Sequence, residues 1–266
     1  MSFRALLSRS PVPLGTMIGE FDTPGIGHIA KAAGLDYVFL DLEHSGFGLG
    51  DLKRLLVYFQ AAGLPVMVRP PSKSGHHISR ALDAGAEALL MPMVASAEEA
   101  ADLVRMMRYP PDGRRGVALG MAHDRYTAGD PAAKLAAANR DNVLIALIET
   151  VSGLEAVEAI AATDGVDALW IGHFDLSTSM GIPGAFDDPR FIAAIDRITA
   201  AAKAADVPLG QLVGRPEDGR KFIADGFQLI CYGVDSNAAR NCSLASTRTC
   251  MGGGPVQQHP QWFEWC

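Results

Sequence analysis

Eight short apolar runs recur along this chain, and each is followed by a stretch with helical periodicity or turn residues. The runs are Leu14–Ile18, Tyr37–Leu42, Val66–Arg69, Ala88–Met91, Val143–Ile148, Ala168–Ile171, Leu209–Val213 and Phe227–Tyr232. Runs this short, apolar at odd and even positions alike, read as strands covered on both faces, which is the signature of a parallel sheet. The intervening amphipathic segments are Gly25–Ala33, Gly50–Ala62, His76–Ala84, Ser96–Arg108, Gly153–Ala162, Pro189–Ala205 and Pro216–Ala224. Gly34, Gly63, Gly85 and Gly226 stand where a helix ends in a left-handed residue. Ser96 with Glu99 reads as a capping box. Eight strand–helix units make a single-domain (β/α)₈ TIM barrel. A doubly wound open sheet is the rival, but no Gly-rich phosphate fingerprint follows the first strand.

Two stretches depart from the rhythm. Residues 109–140 hold a Pro-Pro-Asp-Gly turn and then an Ala-rich helix from Pro131; an insertion after the fourth strand is expected to cap the active-site mouth. The barrel is expected to occupy 1–251 and to leave 252–266 as a tail outside it. A weak helix is expected over about Asn237–Thr247, and the aromatic Trp262, Phe263 and Trp265 are expected to dock on a groove of the same or a neighbouring subunit. A net charge of −7 argues against nucleic acid and anionic membrane surfaces as partners. The cysteines Cys231, Cys242, Cys250 and Cys266 show no C-x-x-C spacing, and no leader or membrane-length apolar run is present, so a cytoplasmic location is expected.

In a barrel, chemistry belongs at the carboxyl ends of the strands. There the chain offers Asp41, Glu43 and His44 after the second strand, Arg69 at the end of the third, Glu149 after the fifth and Asp175 after the sixth. A carboxylate closing an apolar run would be desolvated at a cost of several kcal/mol without a compensating partner. Glu149 and Asp175 on consecutive strands therefore suit a hard divalent cation, with open positions for water and substrate. Arg69 offers a permanently charged fork for a carboxylate or an enolate oxygen. His44 can shuttle a proton if a carboxylate orients it, and Asp41 or Asp83 are the candidates. His123 in the inserted stretch and His173 are further possible substrate contacts. The six lysines, Lys31, Lys53, Lys73, Lys134, Lys203 and Lys221, all read as helix or loop, and only Lys73 is arguable as a Schiff-base residue.

The stretches Ala33–His44, Val68–Pro70, Met91–Ala100, Arg108–Val117, Leu147–Thr150 and Ile171–Ser177 together resemble the HpcH/HpaI (hydroxy-oxo-heptanedioate) aldolases, metal-dependent class II pyruvate aldolases of the citrate lyase/phosphoenolpyruvate barrel superfamily. The resemblance implies a lyase that reversibly cleaves a 4-hydroxy-2-oxo acid to pyruvate, or a close 2-oxo acid, and an aldehyde through a metal-bound enolate. It implies Glu149 and Asp175 as ligands of Mg²⁺, Mn²⁺ or Co²⁺, Arg69 on the pyruvyl group, and backbone amides near Gly172–Asp175 on its carboxylate. It further implies His44 with Asp41 or Asp83 on the hydroxyl proton, and a homo-oligomer, a hexamer or trimer of dimers that exchanges its last helix. The same enolate would serve a 2-oxo acid decarboxylase or an acyl-CoA lyase, and a barrel that only binds a keto acid is the non-enzymatic alternative. The chain departs from the family pattern at Leu147, where glutamine is common, at the bulky His173–Phe174 pair, in the loop after Val117, and in its tail.

Overall fold

Each apolar run becomes one parallel strand of a closed barrel in the computed structural model, which describes residues 2–237. The strands are β1 (Leu14–Ile18), β2 (Tyr37–Asp41), β3 (Val66–Arg69), β4 (Ala88–Met91), β5 (Val143–Ile148), β6 (Ala168–Ile171), β7 (Leu209–Val213) and β8 (Leu229–Val234). β8 begins two residues later than its apolar run and pairs back onto β1 through a register shift between Gly15 and Met17. The expectation of a single (β/α)₈ TIM barrel holds.

Alternation along the strands feeds two separate cores. Tyr37, Phe39, Met67, Leu90, Ile145, Leu147, Trp170, Leu229 and Cys231 fill the barrel interior. Their sequence neighbours, among them Val38, Leu40, Val68, Leu89, Leu144, Ile148 and Ile171, face the helices. The interior is filled by pairing large residues with absent ones. A Cβ at Gly15 would lie 2.5 Å from the Tyr37 ring, and one at Gly210 would overlap Trp170. The four-residue helix α1 (Phe3–Leu6), too short for a sequence signal, plugs the amino-terminal mouth, with Phe3 edge-on to Tyr37 at 5.5 Å.

The outer layer follows the predicted segments closely: α2 (Ile26–Ala32), α3 (Leu49–Ala61), α4 (Gly75–Asp83), α5 (Ala97–Met107) and α6 (Pro131–Asp141). The terminating glycines Gly34, Gly63, Gly85 and Gly226 all have positive φ, as expected. Ser96 accepts the Glu99 amide at 3.2 Å, while Glu99 reaches back to Ala95 rather than to Ser96, so only half of the capping box forms. The segment expected at Gly153–Ala162 is two short helices, α7 (Val151–Glu155) and α8 (Val157–Ala161), broken at Ala156. Then come α9 (His173–Ser179), which the strand pattern did not announce, α10 (Pro189–Ala204) and α11 (Pro216–Ala224).

The insertion at 109–140 lies at the amino-terminal face and does not cap the mouth where the strands end. The physical reason is its place in the chain: it follows α5, which has already carried the chain back to the amino ends of the strands. Ala122 sits against Gly85, just before β4, and Tyr109 exchanges hydrogen bonds with Asn139 of α6, which runs directly into β5. At the opposite rim Asp235, beyond β8, accepts hydrogen bonds from the amides of Gly19, Glu20 and Phe21 and ties the last strand to the loop after the first. The expected helix over Asn237–Thr247, all but its first residue, the aromatic docking and the tail at 252–266 lie outside the described residues.

Candidate active site

The interior alternation, continued two residues beyond the apolar layer, delivers the polar groups. Phe39 is followed by Asp41, Met67 by Arg69, and Leu147 by Glu149, so all three side chains converge above the plugged interior. Asp41 and Arg69 are direct partners in the β2–β3 register. The Arg69 fork grips Asp41 through Nε at 2.7 Å and Nη2 at 2.6 Å, and Nε also lies 3.3 Å from Glu43. Arg69 is 8% exposed. Burial alone would pull the guanidinium pKa down, and Asp41, Glu43 and Glu149 more than reverse that.

Glu149 is 3% exposed, and its Oε1 accepts the Met93 amide at 2.6 Å. Burial pushes its pKa up to about 7; the Met93 amide works against the rise, and the nearby Asp175 and Glu43 add to it. Oε2 faces Gly172, where a Cβ would sit 2.6 Å from it and 3.3 Å from the Leu147 side chain. Gly172 is therefore needed for space beside the carboxylate, and Leu147 forms the floor below it. Asp175 does not close β6 as the sequence suggested; the strand stops at Ile171, and Asp175 is an exposed residue in the first turn of α9. The Gly172 amide is spent on the Ile148 carbonyl at 3.1 Å, which leaves the amides of residues 173–175 as the unspent donors of that turn.

A buried carboxylate with one oxygen unengaged, a glycine that keeps the space beside it clear and a second carboxylate within electrostatic reach form a donor set that fits a hard divalent cation. Among the described residues no group of three or more His, Cys, Asp or Glu is placed to hold a metal ion.

His44 is 63% exposed at the rim, with Nε2 4.0 Å from Glu43. Neither carboxylate put forward from the sequence to orient it bonds to it. Asp41 is committed to Arg69 and to the Glu43 amide. Asp83 sits at the far end of α4, bonded to Arg115 at 2.6 Å and 4.0 Å from His123. Glu43 is the carboxylate beside His44, and burial raises its pKa while Arg69 and His44 oppose that. His173 turns away from the barrel axis. Its Nδ1 accepts from the Gln211 amide at 3.0 Å, on the face of β7 that carries Leu209 and Val213 toward the helices, and its ring packs on Phe186 at 5.2 Å. Burial pushes its pKa down. Phe174 stands beside it, 62% exposed. Met93 gave no signal in the sequence, because nothing about a methionine announces a left-handed backbone, yet it carries φ 53 and bonds Glu149.

A model of the HpcH/HpaI aldolase/citrate lyase family matches residues 21–242. A hydroxypyruvate/pyruvate aldolase from Delftia acidovorans is 37% identical over 92% of this chain and 90% of its own. A 4-hydroxy-2-oxovalerate aldolase from Novosphingobium aromaticivorans is 35% identical over 88% of each chain. The crystal structure of an HpcH/HpaI aldolase from Desulfitobacterium hafniense superposes with a TM-score of 0.90 at 29% identity, covering 98% of this chain and 100% of that one.

Proposed function

Because this chain belongs to the HpcH/HpaI aldolase/citrate lyase family, we propose that Glu149 and Asp175 hold the divalent ion of a class II pyruvate aldolase and that Arg69 and His44 divide the work on its substrate. The enzyme is an aldolase that cleaves a 2-oxo acid, and the family generally depends on a divalent metal. The observation that carries the residue assignment is the Glu149 carboxylate, buried with one oxygen clamped and the other kept clear by Gly172.

The ion, of which Mg²⁺, Mn²⁺ and Co²⁺ suit carboxylate oxygens, supplies Lewis-acid polarisation of the 2-oxo group and a counter-charge for the developing enolate. The chain's own groups do the rest. Arg69, held by Asp41 on Nε and Nη2, keeps Nη1 for the pyruvyl oxygens and adds a fixed positive charge on the enolate side. The amides of residues 173–175 receive the substrate carboxylate at the start of α9. In cleavage His44 takes the C4 hydroxyl proton, the C3–C4 bond breaks, and the electron pair enters the enolate; protonation at C3 then gives pyruvate. Glu43, 4.0 Å away, favours the imidazolium formed in that step. Phe174 and Leu147 shape the wall and floor, and His173 fixes Phe174 from behind.

Assembly as a hexamer is part of the same proposal and rests on the family resemblance alone. Among the described residues no helix is long and apolar enough to cross a membrane; a cytoplasmic location is part of the same proposal.

The test is a lactate-dehydrogenase-coupled assay of pyruvate release from a 4-hydroxy-2-oxo acid. Glu149→Gln and Asp175→Asn should each abolish turnover, since a neutral amide is a poor ligand for a hard cation. Chelated enzyme should recover with Mg²⁺, Mn²⁺ or Co²⁺. Full activity in chelator would end the reading.

A further inference from the structure

Lys73 was the one lysine whose position in the sequence left a catalytic role open, and the proposed chemistry does not use it. Its ammonium is not free. It donates to the Met93 carbonyl at 2.8 Å and pairs with Glu99, whose other oxygen accepts the Ala95 amide at 2.8 Å. A lysine tied down in this way is a poor Schiff-base nucleophile, but it is well placed as a brace.

What it braces is unusual. Met93 holds φ 53, a left-handed conformation that L residues with a side chain adopt at a cost. The Met93 side chain is 44% exposed, so little packing holds the turn in place. The backbone does that instead. On one side of the Met93 Cα its amide donates to Glu149 Oε1 at 2.6 Å; on the other its carbonyl accepts from Lys73; and the following Val94 amide reaches the Leu147 carbonyl at 3.3 Å. Relaxation of Met93 to negative φ would swing its amide off Glu149. Lys73 opposes that relaxation from the far side of the residue.

We propose that Lys73 is a positioning residue: by holding the left-handed Met93 turn it keeps the Met93 amide on Glu149 Oε1, so that Oε2 alone is presented to the divalent ion. Lys73 thereby sets metal affinity without touching metal or substrate. The inference rests on Glu149 being a metal ligand, as assigned above.

The test is calorimetric titration of metal-free protein with Mn²⁺, alongside thermal unfolding of the same samples. Lys73→Met should weaken Mn²⁺ binding roughly tenfold, the low end of what loss of a ligand-orienting contact costs, with the metal-free melting temperature little changed. Lys73→Arg, which can still reach a carbonyl, should restore most of the affinity. Met93→Gly adopts positive φ without strain, so in that background Lys73→Met should cost at most about half as much on the logarithmic scale. Wild-type Mn²⁺ affinity in Lys73→Met, or an equal loss in both backgrounds, would overturn the proposal. Glu149→Gln is the control: if it binds Mn²⁺ as wild type does, the metal-site assignment fails rather than the brace alone.

Discussion

The two side chains proposed to act on the substrate, Arg69 and His44, sit in opposite environments. Arg69 is buried and gripped by Asp41, whereas His44 is exposed beside Glu43. That contrast predicts separable defects. Methyl-proton exchange of pyruvate reports enolisation without any aldehyde present. Arg69→Ala should lose both exchange and cleavage, because the enolate loses its fixed charge. His44→Ala should lose cleavage by roughly 10²–10⁴-fold, the range for a general acid–base group, while retaining exchange. Equal losses of the two activities in His44→Ala would refute the division of labour. The sequence exposed Asp41, Arg69 and Glu149 because a polar residue ending an apolar run is conspicuous, whereas Asp175 stands four residues beyond the end of its strand. It could not expose the partner of His44. Asp41 and Glu43 are two residues apart and chemically alike, and only the β2–β3 register commits Asp41 to Arg69.

At the scale of elements, the strands were legible almost residue for residue because both faces of each are covered, which leaves unbroken apolar runs. The helices were legible from their glycine terminators. The insertion was legible in extent and misread in location, since its composition says nothing about which end of the barrel it decorates. Its own electrostatics can be tested. His123, 4.0 Å from Asp83 and with its buried Nδ1 lacking a hydrogen bond, has its pKa pushed below the ordinary histidine value, first by burial and then by Arg115. A histidine with a depressed folded pKa contributes stability that is present above its unfolded pKa and lost as pH falls through the folded one. On acidification the melting temperature of wild type should therefore fall relative to that of His123→Leu, a difference from which the shifts that both proteins share, such as that of Glu149, cancel. A His123→Leu profile parallel to wild type would show that the imidazole carries none of the acid sensitivity.

At the scale of the whole molecule, a barrel must close its last strand on its first, and the β1–β8 seam is the one that carries a register shift. Asp235 spans that seam with one buried carboxylate on three consecutive amides, a feature invisible in the sequence because its partners lie more than two hundred residues away. Asp235→Ala would orphan those amides and should lower the unfolding free energy by about 2–4 kcal/mol, by urea titration; a change below about 0.5 kcal/mol would mean that the loop finds other acceptors. The pairing of Asp41 with Arg69 has a consequence for how the chain reaches this structure at all. β2 and β3 are buried and nearly featureless on both faces, so apolarity alone discriminates poorly between alignments one residue apart. A slip of one residue would turn Arg69 toward the helix layer and strand Asp41 inside, two buried charges each without a partner, at a cost of several kcal/mol. The pair that readies the enzyme for its substrate thus also proofreads the assembly of its barrel.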